Sequence, residues 1–202
     1  MQYQKHDLFP TSVIRTDTSG IITEEDKEMM MKSVDQLIEM GHYTDNELTP
    51  KYQTKLLLFR DDAPPIWKKL RATFYEACEL YLKAVPSYTF NQDAIELNGA
   101  AAWCYKGWKS LNEKETNPFH HHNPAFLSGV YYLKVPGDGT TGGTEFYDPR
   151  TAPAHGTQMQ CVAPQEFTWV IFPGWLGHRS NYVNTEEPRY VIAANVYAKV
   201  KT

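Results

Sequence analysis

The chain has 202 residues, a formal charge of −4 and a pI of about 6.0; 42% of it is hydrophobic and 13% aromatic. That supports one sizeable core in a single domain and offers no basic face for nucleic acid. No run of roughly 18 apolar residues could span a membrane, and the opening MQYQKHDLFP lacks the apolar core of a signal peptide.

The three cysteines, Cys78, Cys104 and Cys161, lie far apart and form neither a zinc spacing nor a disulfide framework. Free core thiols and a cytoplasmic setting are the expectation.

Residues 1–86 read as a helical layer. The first helix runs from Thr23 to Gly41: Thr23 can cap it, Asp26 stands at the capping-box position, and Met30, Val34, Leu37 and Ile38 recur at helical spacing. The second runs from Pro64 to Val85, with Pro65 in its first turn and Ile66, Leu70, Phe74, Ala77 and Tyr81 as one apolar stripe for the core.

After Pro86 the texture changes. Short apolar runs alternate with Gly, Pro and Asn clusters, giving candidate strands at 94–106, 125–135, 143–149, 159–164, 167–174 and 189–200. Strands at this spacing predict a mainly β fold, a sandwich or jelly roll spanning 87–202, carried with the N-terminal helices in one domain. Residues 44–55 and 137–143 read as loops, rich in Gly, Thr and Asn.

Chemistry concentrates at FHHHN, where His120, His121 and His122 precede an apolar, tyrosine-rich run. If this segment is extended, His120 and His122 share one face; the alternative register pairs His121 with Asn123, a poorer ligand set. Imidazole suits Fe, Zn, Cu and Ni alike. For a third ligand, His178 follows the apolar strand of WVIFPGWLGH after a Pro-Gly turn, which would put its ring at the mouth of the β region. His155 sits in a proline-rich loop and reads as solvent-facing, and His6 and His42 carry no evident role. Arg189, eleven residues beyond His178, opens a near-continuous apolar strand. Pointing inward it would need an anion, because an unpaired buried charge is costly, and a carboxylate gripped by both arms of the guanidinium would serve.

The ordered set HHHNPAFLSGVYYLKVP, GGTEFYDPR and FPGWLGH, followed by Arg189, resembles the Fe(II)- and 2-oxoglutarate-dependent oxygenases, and more loosely the prolyl hydroxylases, over roughly Trp103 to Tyr197. The opening LFPTSV adds to the likeness. The resemblance implies a double-stranded β-helix (jelly roll, cupin-like) and Fe(II) held by His120, His122 and His178. It implies 2-oxoglutarate paired to Arg189 with help from Tyr132, or from Tyr131 if the strand register slips by one. It further implies hydroxylation of a substrate coupled to conversion of 2-oxoglutarate to succinate. Trp103, Tyr105 and Trp175 are either pocket lining or core aromatics.

One departure stands out. Where that family has a carboxylate ligand this chain has His122, so three neutral imidazoles leave the metal its full +2 charge. Two other readings of the same residues are a cupin-like three-histidine metalloenzyme without 2-oxoglutarate and a catalytically silent jelly-roll binding protein. The substrate, small molecule or peptide, is not legible here, nor is the oligomeric state.

Overall fold

The structure, a computed structural model, describes residues 11–45, 51–85, 94–109, 118–148 and 159–201. Along them run β1 (Ile14–Asp17), α1 (Glu24–Glu39), β2 (Tyr43–Asp45), β3 (Lys51–Thr54), α2 (Pro65–Ala84), β4 (Ile95–Gly107) and β5 (Leu127–Lys134). They continue with β6 (Thr144–Tyr147), β7 (Met159–Val162), β8 (Thr168–Pro173), β9 (His178–Ser180) and β10 (Arg189–Val200).

Both helices start where local chemistry places them. The Thr23 hydroxyl accepts from Asp26 N at 3.2 Å and the Asp26 carboxylate accepts from Thr23 N at 2.9 Å, which satisfies two of the amides a helix start leaves unpaired. Helix α2 buries Trp67, Leu70, Phe74, Ala77, Cys78 and Tyr81, and each large apolar side chain among them contributes about 1.5–3 kcal/mol. Ile66, expected on that stripe, is only partly buried against the same core.

Seven strands form one antiparallel sheet in the order β1-β8-β5-β10-β4-β3-β2, and a three-stranded sheet in the order β7-β6-β9 accompanies it. This is the jelly roll. The large sheet sorts its side chains by parity. Leu127, Tyr131 and Leu133 on β5, Trp169 and Ile171 on β8, and Tyr190, Ile192, Ala194 and Val196 on β10 pack with Met30, Val34 and the buried residues of α2. On the opposite face Val130, Tyr132, Val170, Phe172 and Val191 form a second cluster with Phe146 of β6 and with Leu176. The polar tips of the helix-side rings are matched: Trp169 Nε1 donates to Thr73 Oγ1 at 3.0 Å, and the Tyr131 hydroxyl lies 2.9 Å from Thr18 Oγ1.

Three features depart from expectation. The N-terminal third is not wholly helical, since β1 edges the large sheet against β8 (Ile14 opposite Ile171) and β3 lies against β4 (Gln53 opposite Tyr105). Residues 43–45 and 51–54 are strands rather than loop. Such three- and four-residue strands carry no readable period, and cross-strand pairing creates them. Cys161 is exposed on β7, whereas Cys78 and Cys104 are buried as anticipated, with their thiol pKa values pushed up by that burial. His6 and His155 lie outside the described residues, as does part of the LFPTSV motif. No helix among the described residues is long and apolar enough to cross a membrane.

Candidate metal centre

The metal-binding candidates come from the first residue of β9 and from the segment that precedes β5. Backbone bonds join the two. His120 N donates to His178 O at 3.0 Å and His178 N donates to His120 O at 2.9 Å, an isolated antiparallel bridge. Two residues on, His122 N donates to Gly174 O at 2.7 Å, and His122 O accepts from Ala125 N at 2.7 Å. The tripeptide is therefore held at both ends, with His120 and His122 turned to one side and His121 exposed.

The crossing needs a glycine. A Cβ on Gly174 would sit 2.1 Å from the Ala125 carbonyl oxygen, far inside contact distance and against rigid backbone. Gly174→Ala is expected to lower the melting temperature and metal affinity together, because the clash must be relieved by moving the segment that carries His122; calorimetry and metal titration of the variant check this.

The ligand nitrogens of His120, His122 and His178 all lie within 4.8 Å of one another, and the ring centroids are 4.6 to 5.1 Å apart. Two of the rings have their outer nitrogen engaged. His178 Nδ1 is 2.9 Å from the Leu176 carbonyl oxygen and His120 Nδ1 is 3.0 Å from that of Pro118. With the proton donated there, each Nε2 keeps its lone pair for a cation.

Burial, and then the neighbouring His120 and His121, push His122 down to about 4; burial chiefly lowers His178 to about 3, against the opposing Leu176 carbonyl. Both rings are thus neutral at physiological pH, the form that binds metal. Glu145, one of the acids that follow the β5 strand, is committed elsewhere, in an ion pair with Arg179 at 2.7 Å.

Arg189 opens β10 on the inner face and is 9% exposed. Its Nη1 donates to Ser180 Oγ at 2.9 Å, while Nε has no hydrogen-bond partner. Burial lowers its pKa, with Tyr132 and Cys104 acting the other way. The guanidinium carbon lies 6.0 Å from the Tyr132 ring, and the Tyr132 hydroxyl is 2.7 Å from Thr144 Oγ1. The sheet thus settles the register: Tyr132 faces between the sheets and Tyr131 faces the helices.

Ser180 escaped sequence reasoning because three-residue β9 was not recognised. Its position two residues beyond His178, hence on the same strand face, was the available signal. Of the aromatics, Trp103 is buried with its ring 5.5 Å from that of His122, Tyr105 stands edge-on to it at 6.5 Å, and Trp175 is 46% exposed.

Solved structures share this architecture at low identity. A prolyl-4-hydroxylase from Pseudomonas putida superposes with a TM-score of 0.59 at 10% identity, covering 93% of this chain and 92% of that one. A Trichoplax adhaerens prolyl hydroxylase, solved with a hypoxia inducible factor oxygen degradation domain peptide, gives 0.61 at 12%, covering 92% and 83%. HygX from Streptomyces hygroscopicus, solved with nickel and 2-oxoglutarate, gives 0.61 at 11%, covering 93% and 83%. No curated protein matches the chain by sequence. Residues 106–195 match the family described as "Putative 2OG-Fe(II) oxygenase", a stretch that takes in the histidine triplet, His178 and Arg189.

Proposed function

We propose that the protein hydroxylates an organic substrate at a C–H bond, consuming O2 and turning 2-oxoglutarate into succinate and CO2. His120, His122 and His178 hold Fe(II), and Arg189 with Tyr132 hold the far carboxylate of 2-oxoglutarate. The observation that carries this reading is Arg189: a buried guanidinium with one N–H unpartnered, beside the Tyr132–Phe172 cluster that also packs against His178 of the three converging imidazoles. Desolvated charge without a full set of partners is unfavourable, so such a cation marks a place for an anion.

Spacing supports the assignment. His178 and Ser180 lie two residues apart on one strand, about 6.6 Å along it, and Ser180 is the residue that grips Arg189. A five-carbon diacid has its two carboxylates a comparable distance apart.

The bound metal and keto acid supply O2 activation and the oxidising equivalents. The chain supplies placement. Nδ1 contacts to the Leu176 and Pro118 carbonyls aim the His178 and His120 rings. The Arg189 guanidinium, braced by Ser180, orients the diacid. Val130, Val170, Phe172, Leu176 and Val191 form an apolar cluster with Tyr132, against which His178 packs, and this hydrocarbon keeps water from that side of the reacting centre. With three neutral ligands, the metal and a doubly negative cosubstrate sum to zero.

A three-histidine enzyme that does not use 2-oxoglutarate is the second reading, and it leaves Arg189 without a purpose. Anaerobic calorimetry and a succinate assay separate the two. Succinate release that needs both Fe(II) and 2-oxoglutarate is the expected result, and a protein that takes up Fe(II) but never 2-oxoglutarate would end the first reading.

A further inference from the structure

Two polar side chains lie beside the histidines, and no step above uses them. The face of β10 that carries Arg189 continues through Val191 and Ala193 to Asn195. Asn195 stands in one cross-strand row with Ala101 of β4, Ser128 of β5 and Phe172 of β8. The next row joins Ala193 to Trp103 of β4 and Val130 of β5. The outer members of these rows touch the metal-binding rings, Phe172 at 4.6 Å from His178 and Trp103 at 5.5 Å from His122 between ring centroids. The histidines therefore span the two middle strands, β5 and β10, where Ser128 and Asn195 lie.

Both Asn195 and Trp103 present donors there. Ser128 Oγ donates to Asn195 Oδ1 at 2.7 Å, which holds the carboxamide and leaves its NH2 as the end with no acceptor among the described residues. Asn195 is half-buried, as is Ala101 beside it, so this end of the row is open to an incoming molecule. The Trp103 indole N–H is 6% exposed and has no hydrogen-bond partner. The Tyr105 hydroxyl is near enough for the indole to offset part of the burial-driven rise in its pKa, but it is not aligned to accept. A buried donor left without an acceptor is unfavourable, and native structures rarely keep one that has no use. Trp103 and Asn195 are diagonal neighbours across the β4–β10 pair, a separation that long side chains bridge.

We propose that Trp103 and Asn195 form the polar subsite for the substrate, and that the substrate carries an uncharged carbonyl oxygen, as an amide or a ketone does, close to the C–H bond that reacts. An sp2 oxygen has two lone pairs for two N–H groups. Both donors are neutral, and Ala101, Ala193, Val130 and Phe172 around them add no cation, so an anion would lose its hydration without gaining a counter-charge. This rests on the hydroxylase reading, in which 2-oxoglutarate is anchored on Arg189. Asn195 is six residues further along β10, about 20 Å of strand, so a five-carbon diacid held on Arg189 ends short of a side chain as short as asparagine.

The test uses the whole protein loaded anaerobically with Fe(II) and 2-oxoglutarate, and titrates it calorimetrically with four fragments of one shape: acetophenone, benzamide, benzoate and benzylamine. Acetophenone and benzamide should bind. Benzoate, which is charged, and benzylamine, which has no acceptor when protonated, should bind more weakly than either. Asn195→Ala and Trp103→Phe, the second removing the N–H while keeping a ring, should each weaken acetophenone about three- to tenfold, as for loss of one neutral hydrogen bond. The 2-oxoglutarate dissociation constant should stay within about threefold in both variants, which also shows that they fold. Carbonyl fragments that bind no tighter than benzylamine overturn the proposal, as does benzoate binding tightest of the four. Either variant leaving acetophenone binding unchanged overturns the two-donor subsite. So does an Asn195→Ala variant that loses 2-oxoglutarate instead, since the amide would then belong to the cosubstrate. Failure of the unmutated protein to bind 2-oxoglutarate at all is a different result, and it sinks the underlying hydroxylase reading.

Discussion

Arg189→Ala is expected to weaken 2-oxoglutarate binding by about 2–5 kcal/mol, the usual cost of removing one partner of a buried, hydrogen-bonded charge pair. Metal affinity should be unchanged. The guanidinium is built into its place from several sides. Ser180 on the small sheet takes one N–H at 2.9 Å, the Tyr132 ring lies alongside, and Gly142 closes over it. A Cβ on Gly142 would come 3.1 Å from Arg189 Nε, and the glycine's φ of +78° is one that other residues rarely adopt. The small residue therefore leaves space beside the N–H that lacks a partner.

Arg189→Lys keeps the charge but loses the planar fork, so a partial loss is expected from it. Calorimetry with the redox-silent metal-loaded protein measures both variants without turnover. A cosubstrate constant that does not move in Arg189→Ala removes the residue from the site.

The second large effect separates neighbours in the histidine triplet. His122→Ala should reduce metal affinity by more than about a hundredfold, since even groups that only orient a ligand cost 10–100-fold when removed. His121→Ala, one residue away and exposed, should leave metal binding nearly intact. Equilibrium dialysis against Fe(II) gives both numbers. The reverse pattern would mean that the segment binds metal in the other register, with His121 inward. His122→Asp is the informative companion. It should still take up iron, because it restores the more common two-histidine, one-carboxylate set, while lowering the charge of the centre by one.

Much of the fold was legible along the chain. The capping box at Thr23, the proline at the head of α2, the apolar stripe of that helix and six strands of the β core all follow from local periodicity and turn chemistry, and the structure has them within a few residues. Strands β1, β2, β3 and β9 were not legible. Each has only three or four residues, and β1, β3 and β9 exist because a distant strand offers them hydrogen bonds, while β2 pairs with the neighbouring β3.

The site divides in the same way. Local sequence determined which residues had the chemistry: three adjacent histidines, another after a Pro-Gly turn, and an arginine heading an apolar strand. The tertiary structure alone decided that His120 and His178, 58 positions apart, share a backbone bridge. It alone turned Tyr132 inward rather than Tyr131, and brought Ser180 to Arg189 and Ser128 to Asn195. The reason is physical. Periodicity encodes which face of an element a side chain takes, but which faces meet is set by pairing between strands far apart in the chain, and no short stretch of sequence contains both partners.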